Sequence, residues 1–309
     1  MTDEEIIRSF PLHQRESVPG FIVDFLGSKT RVSYFSHLAH YDGLVEDYPI
    51  PLDFHATAAE WAGVLRAALD ATTELIAVEL GAGWAPWLVT LARACETTGL
   101  SKFHLVGVEG SRGHYDYMHT HFVDNGLDPG QHTLLHGVVG STDGVAEFPI
   151  LPDPAADWGA AAIFANETNG TGSSNRRQGW RRAISAALRS WVREPPPKGV
   201  PTEQLSCFSL ATILSPYAKV DIVHFDIQGD EYKVLTSARQ VLKEKVKRMV
   251  VATHTRLIEQ ELLDDLPSQC WVLESDEASR YRQNGQGVVQ YMDGCQVWRN
   301  SSFDSGARG

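Results

Sequence analysis

The stretch that decides the fold is Val78-Glu79-Leu80-Gly81-Ala82-Gly83-Trp84-Ala85, an apolar run that reaches an acidic residue and then turns on glycines. Two later apolar runs end the same way, one at Glu109 and one at Asp226. Open α/β sheets bind ligands at their strand ends. Three acidic positions of this kind therefore point to one ligand lying across one sheet edge.

Strand and helix signals alternate around these positions, the signature of a mostly parallel α/β sheet. The pattern predicts strands over 75–80, 103–108, 132–139, 220–225 and 248–253, and helices over 86–97, 113–125, 231–243 and 256–266. Residues 144–150 read as an extension of the third strand through a turn. Two β-like runs, 270–274 and 288–298, close the chain without a helix between them, so an antiparallel hairpin ends the sheet.

Residues 1–57 have no clean period and read as an irregular N-terminal cap. A helix follows, with Trp61, Leu65 and Leu69 on one stripe and a capping box expected from Thr57 and Glu60. The expected organisation is a cap with its helix over 1–74, one α/β domain over 75–300, and a flexible tail over 301–309. An insert at about 151–205 interrupts the alternation. It holds a polar loop from Asn166 to Asn175, then a basic helix carrying Arg177, Arg181, Arg182 and Arg189, ended by Pro195-Pro196-Pro197. It reads equally as a lid or as a solvated packing helix.

With 309 residues, 43% of them apolar, the chain can bury a sizeable core. Its formal charge of -12 repels a phosphate backbone, which argues against nucleic acid as the main substrate. Cys95, Cys207, Cys270 and Cys295 form no CxxC pair and read as reduced thiols. The acidic start lacks the basic and apolar regions of a signal peptide, and no apolar run approaches the ~20 residues of a membrane helix. A soluble, cytoplasmic protein is expected, with no membrane partner.

Gly81 and Gly83 let the turn bring its backbone close to a ligand, although plain turn residues would look the same. Glu79 could hold a cationic amino group or orient the loop. Glu109 is placed to accept both ribose hydroxyls of a nucleoside cofactor. A dehydrogenase would want a third glycine where Pro86 stands, and proline also removes an N–H that a pyrophosphate needs. S-adenosylmethionine carries no phosphate and is favoured. Asp226 at its strand end needs a partner: a cation, a sulfonium or a substrate hydroxyl, and it is read as orienting the acceptor hydroxyl. Asp230 and Glu231 read as capping residues of the next helix. His254, ending Val250-Val251-Ala252-Thr253, is a candidate general base for an acceptor hydroxyl or a hydrogen-bonded structural residue. His224 reads as structural. A divalent metal held by Asp226, Asp230 and His254 is a second mechanism.

These residues resemble the FkbM-type family of S-adenosylmethionine-dependent methyltransferases from about Glu60 to Asn300. The resemblance rests on Glu79-Leu80-Gly81-Ala82-Gly83, Val108-Glu109, Thr253-His254, Asp293-Gly294-Cys295-Gln296-Val297-Trp298 and, most specifically, Phe225-Asp226-Ile227-Gln228-Gly229-Asp230-Glu231. It implies a Rossmann-like class I methyltransferase fold with seven strands and O-methylation of a saccharide or natural-product small molecule. It also implies cofactor contacts at Glu79, Gly81, Gly83, Glu109 and Asp226. Many members carry Lys where His224 stands and Glu where Gln228 stands, and Ala85 occupies the third glycine position of the loop. A catalytically idle scaffold on the same fold is the rival from another class.

Overall fold

The computed structural model describes residues 1–164, 200–285 and 287–307. One sheet organises the chain. Its strands are β1 (Leu75–Leu80), β2 (Phe103–Glu109), β3 (Thr133–His136), β4 (Val220–Phe225), β5 (Val246–Thr253), β6 (Trp271–Glu277) and β7 (Gly294–Asn300). They lie in the order β6-β7-β5-β4-β1-β2-β3. All neighbours run parallel except β7, which is antiparallel to both β5 and β6. The chain starts in the middle of the sheet, builds outward to β3, then returns to β4 on the other side of β1. The crevice where those two directions part is the place such sheets bind ligands.

The helices that flank the sheet include α1 (Ala58–Asp70), α2 (Pro86–Thr98), α3 (Arg112–Asp124), α4 (Glu231–Ser237), α5 (Arg239–Lys245) and α6 (Arg256–Asp265). They cover both faces, so β1 and β4 are almost continuously buried and apolar. Alternation sorts their side chains. Ala77 and Ile222 join Trp61, Leu65 and Leu88 on the α1–α2 face, while Val78, Leu80, Val223 and Phe225 join Leu235 and Leu262 on the other. The same alternation puts Glu79, His224 and Asp226 on the α1–α2 face. In α1, Trp61 and Leu65 are fully buried and Leu69 ends the stripe at the surface.

Several expectations are corrected. The strand read over 132–139 breaks at Gly137, where an added Cβ would lie 2.6 Å from the Phe208 ring and 2.7 Å from the Ser206 carbonyl. Beyond it, Val138–Gly140 joins a separate three-stranded sheet. Thr202–Ser209 is the centre of that sheet, and Gly144–Pro149 is its antiparallel partner rather than an extension of β3. The helix read over 231–243 is two helices, because Ala238 leaves helical geometry. The run over 288–298 divides at Asp293, and a second hairpin, Arg280–Asn284 with Gly287–Met292, stands between β6 and β7. The Thr57–Glu60 capping box does not form: among the described residues the Thr57 hydroxyl has no partner, and Glu60 instead takes the His224 Nε2 at 2.8 Å. A capping box does form at Thr2 and Glu5, starting a helix over Asp3–Ser9 inside the cap.

The polar loop, the basic helix and the triple proline of the insert lie outside the described residues. All four cysteines are unpaired. Among the described residues no helix is long and apolar enough to cross a membrane.

Candidate active site

At the C-terminal rim of β1, the chain turns at Gly81 (φ 72°) and Gly83 (φ 55°), both left-handed. A Cβ on Gly81 would stand 1.8 Å from the Asp226 carbonyl oxygen, so only glycine lets the turn lie against the end of β4. Ala85, at the third glycine position, is itself left-handed (φ 59°) and starts α2 with no capping side chain of its own. Glu79 supplies that function from below: its Oε2 accepts the Leu88 N–H at 3.1 Å. Burial, with repulsion from Asp226 and Glu60 added, pushes the Glu79 carboxyl well above the carboxylate range, against the backbone N–H groups of Leu88 and Trp87.

Glu109 ends β2 and is buried. Its Oε2 accepts the Gly83 N–H at 2.8 Å and its Oε1 the Ser111 N–H at 2.6 Å. One carboxylate thus ties the glycine turn to the start of α3. Each oxygen keeps a further lone-pair site for another donor.

Asp226 follows β4 and is the accessible member of the set, its side chain 40% exposed. Its Oδ1 takes the Gln228 amide at 3.0 Å and stands 3.2 Å from His254 Nε2. Desolvation is the largest single influence and opposes its charge, but His254, His224 and Gln228 together outweigh it and hold the carboxyl below its ordinary value. His254, at the end of β5, stands between acids. Its Nδ1 is 2.9 Å from Glu231 Oε1, and its Nε2 is 3.8 Å from Asp293 Oδ2. The Glu231 contact is a close charge pair, and among the described residues His254 Nδ1 has no other polar partner. Burial lowers the imidazole's pKa, but Glu231, Asp226 and Asp293 together carry it well above 6.5. Desolvation raises the Asp293 carboxyl to about 6.

Glu231 corrects its reading as a cap. It is fully buried, and its Oε1 accepts the N–H groups of Ile227 and Gly229 at 3.0 Å each. It therefore folds the turn after Asp226 and balances His254. Its signal lay in the Asp226-to-Glu231 motif itself. Asp293 opens the run Asp293-Gly294-Cys295-Gln296-Val297-Trp298, where the spacing points to no role for it. His55 and Trp158, which also line the cleft, had no periodic signal.

Glu79, Gly81, Gly83, Glu109 and Asp226 all line one cleft of about 940 Å³ counted to its open mouth. His254 sits behind Asp226, away from that lining. Among the described residues no group of three or more His, Cys, Asp or Glu side chains could hold a metal ion.

The sign of the His254 shift makes a prediction. A raised histidine pKa gives stability that is complete below 6.5 and lost as pH rises through the higher folded value. Asp226 gives the opposite limb, complete above 3.8 and lost as pH falls through its lower folded value. Replacing His254 with Gln leaves the buried Glu231 carboxylate without its cation and facing Asp226 and Asp293, and is expected to cost about 3–5 kcal/mol near pH 6. Thermal melts across pH check this: the gap to wild type should narrow at alkaline pH, and a pH-independent gap would contradict the imidazolium.

The strand order, the single antiparallel strand and an acid-lined cleft at the switch point define a class I methyltransferase fold. No protein-family model matches the chain. Over 271 residues the chain is 33% identical to a protein of Jannaschia sp. (strain CCS1) that bears the name "Putative methyltransferase", covering 87% of this chain and 88% of that one. The chain belongs to that methyltransferase family. Among solved structures it is similar to methyltransferase FkbM from Methylobacillus flagellatus KT at 12% identity and a TM-score of 0.41, over 74% of this chain and 45% of that one. It is also similar to precorrin-6y C5,15-methyltransferase from Geobacter metallireducens GS-15 at 8% identity and a TM-score of 0.40, over 77% of this chain and 85% of that one. The fold assignment rests on strand order rather than on these likenesses.

Proposed function

We propose that the chain is an S-adenosylmethionine-dependent O-methyltransferase of the FkbM type, acting on a hydroxyl of a saccharide or natural-product small molecule. The observation that carries this reading is the convergence of Glu79, Glu109 and Asp226 on one cleft beside a glycine turn. The residues suit the donor. Glu109 has one open lone-pair site on each oxygen for a ribose diol. Glu79, Glu60 and Asp226 make one side of the cleft acidic, which favours an ammonium and would return Glu79 to its charged form.

When bound, S-adenosylmethionine supplies a methyl group on a positively charged sulfur. This chain's residues then have to align an acceptor oxygen and receive its proton. Asp226, ionised and open to the cleft, is the group that accepts a hydrogen bond from the hydroxyl and takes that proton as the oxygen attacks. The role given to His254 from sequence changes here. Its proton is already held between Glu231 and Asp226, so we assign it to fixing and neutralising Asp226 rather than to acting as the base.

The assay is methyl-labelled donor offered with a panel of saccharides and hydroxylated small molecules. Label on an acceptor oxygen is the expected result. Label only on carbon or nitrogen would overturn the O-methyl reading. Tight donor binding without transfer to any acceptor would favour an idle scaffold.

A further inference from the structure

Residues 153–158 form a strap that ends at the cleft with Trp158, and neither the fold nor the three acids explains its role. The Ser36 N–H donates to the Ala155 carbonyl at 2.9 Å, tying the strap to the N-terminal cap. The His114 Nε2 lies 2.9 Å from the Pro154 carbonyl, and Pro154 packs so closely on Gly113 that a Cβ there would stand 2.2 Å from its ring. The strap is therefore fixed at once to the cap and to the first turn of α3. Between those anchors it presents Trp158.

The Trp158 ring is sandwiched. It stacks on His114 at 3.8 Å with planes 8° apart, and on Phe35 at 4.6 Å with planes 20° apart. With both faces covered, only its edge can meet a ligand. Its benzo edge lies over the glycine turn, with Cζ3 3.1 Å from where a Gly83 Cβ would be. Gly83 donates to Glu109, and His114 Nδ1 is 3.9 Å from the same carboxylate. Trp158 thus stands beside the ribose-binding acid, and it lines the cleft.

We propose that Trp158 is a positioning residue that roofs the nucleoside half of the donor pocket, its edge closing over the ribose that Glu109 is placed to hold. This inference rests on the donor reading above. Aromatic bulk is useful here because a rigid ring held on both faces loses little freedom when it closes on a ligand. Glycine at position 83 follows from the same arrangement, since any side chain there would fill the gap between turn and roof.

Calorimetry with S-adenosylhomocysteine and with 5′-methylthioadenosine, which keeps the nucleoside and lacks the amino-acid part, tests it. Trp158→Ala is expected to weaken both by the same factor, about tenfold. Trp158→Phe, which can keep the sandwich, should lose less. Far-UV circular dichroism and the melting temperature show whether each variant folds. In the wild type, indole emission should change on adding S-adenosylhomocysteine, and most of that change should vanish in Trp158→Phe. Unchanged or tighter binding by Trp158→Ala would overturn the roof and make the ring a plug. A loss confined to S-adenosylhomocysteine would overturn it as well, placing the contact at the amino-acid end. Wild type that binds neither ligand would overturn the donor reading, and the roof with it.

Discussion

Glu109→Ala is expected to lose about a hundredfold or more in affinity for S-adenosylmethionine, the largest effect on donor binding of any single change at the cleft. Two terms add. A carboxylate accepting both ribose hydroxyls makes two charge-assisted hydrogen bonds, each worth about 1.5–3 kcal/mol. The same carboxylate holds the Gly83 and Ser111 N–H groups, so its removal also frees the glycine turn and the start of α3. Glu109→Gln should lose less, because its remaining carbonyl oxygen can keep one of those N–H groups. Titration calorimetry reads both variants. Equal binding by wild type and Glu109→Ala would remove the ribose assignment.

Asp226→Asn should lower kcat by about 10²–10³ while moving donor affinity only a few-fold. An amide cannot take the hydroxyl proton, and proton transfer by a positioned group contributes about 10²–10⁴ in rate. The change also removes the negative charge beside His254 Nε2, leaving Glu231 and Asp293 as that histidine's remaining acidic neighbours. Steady-state kinetics with donor and acceptor varied in turn separate these effects. Donor affinity falling as far as kcat would make Asp226 a donor ligand instead. A kcat profile that climbs with pH through an alkaline pKa and survives Asp226→Asn would return the base role to His254.

The three acids were legible because each ends an apolar run, and a strand buried on both faces writes itself as such a run. β1 and β4 have the bounds their sequences predict for the same reason. What sequence hid was decided by partners distant in the chain. Gly137 breaks β3 because Phe208 and the Ser206 carbonyl occupy the space beside it, and Thr202–Ser209 was masked by the irregular insert before it. Glu60 carries the pattern of a cap, but His224 on β4 outcompetes the Thr57 end of α1 for it. His254 was visible at its strand end, whereas its protonation depends on Glu231, which periodicity places only on a helix N-terminus. Trp158 stands in an irregular segment, and only the fold brings it over Gly83.

The central claim is that the cleft these acids share holds an adenosyl donor, with Glu109 on its ribose. Titrating purified protein with S-adenosylhomocysteine tests it most directly. Saturable one-to-one heat that disappears in Glu109→Ala is the predicted result. No heat from a folded wild-type protein would contradict the account.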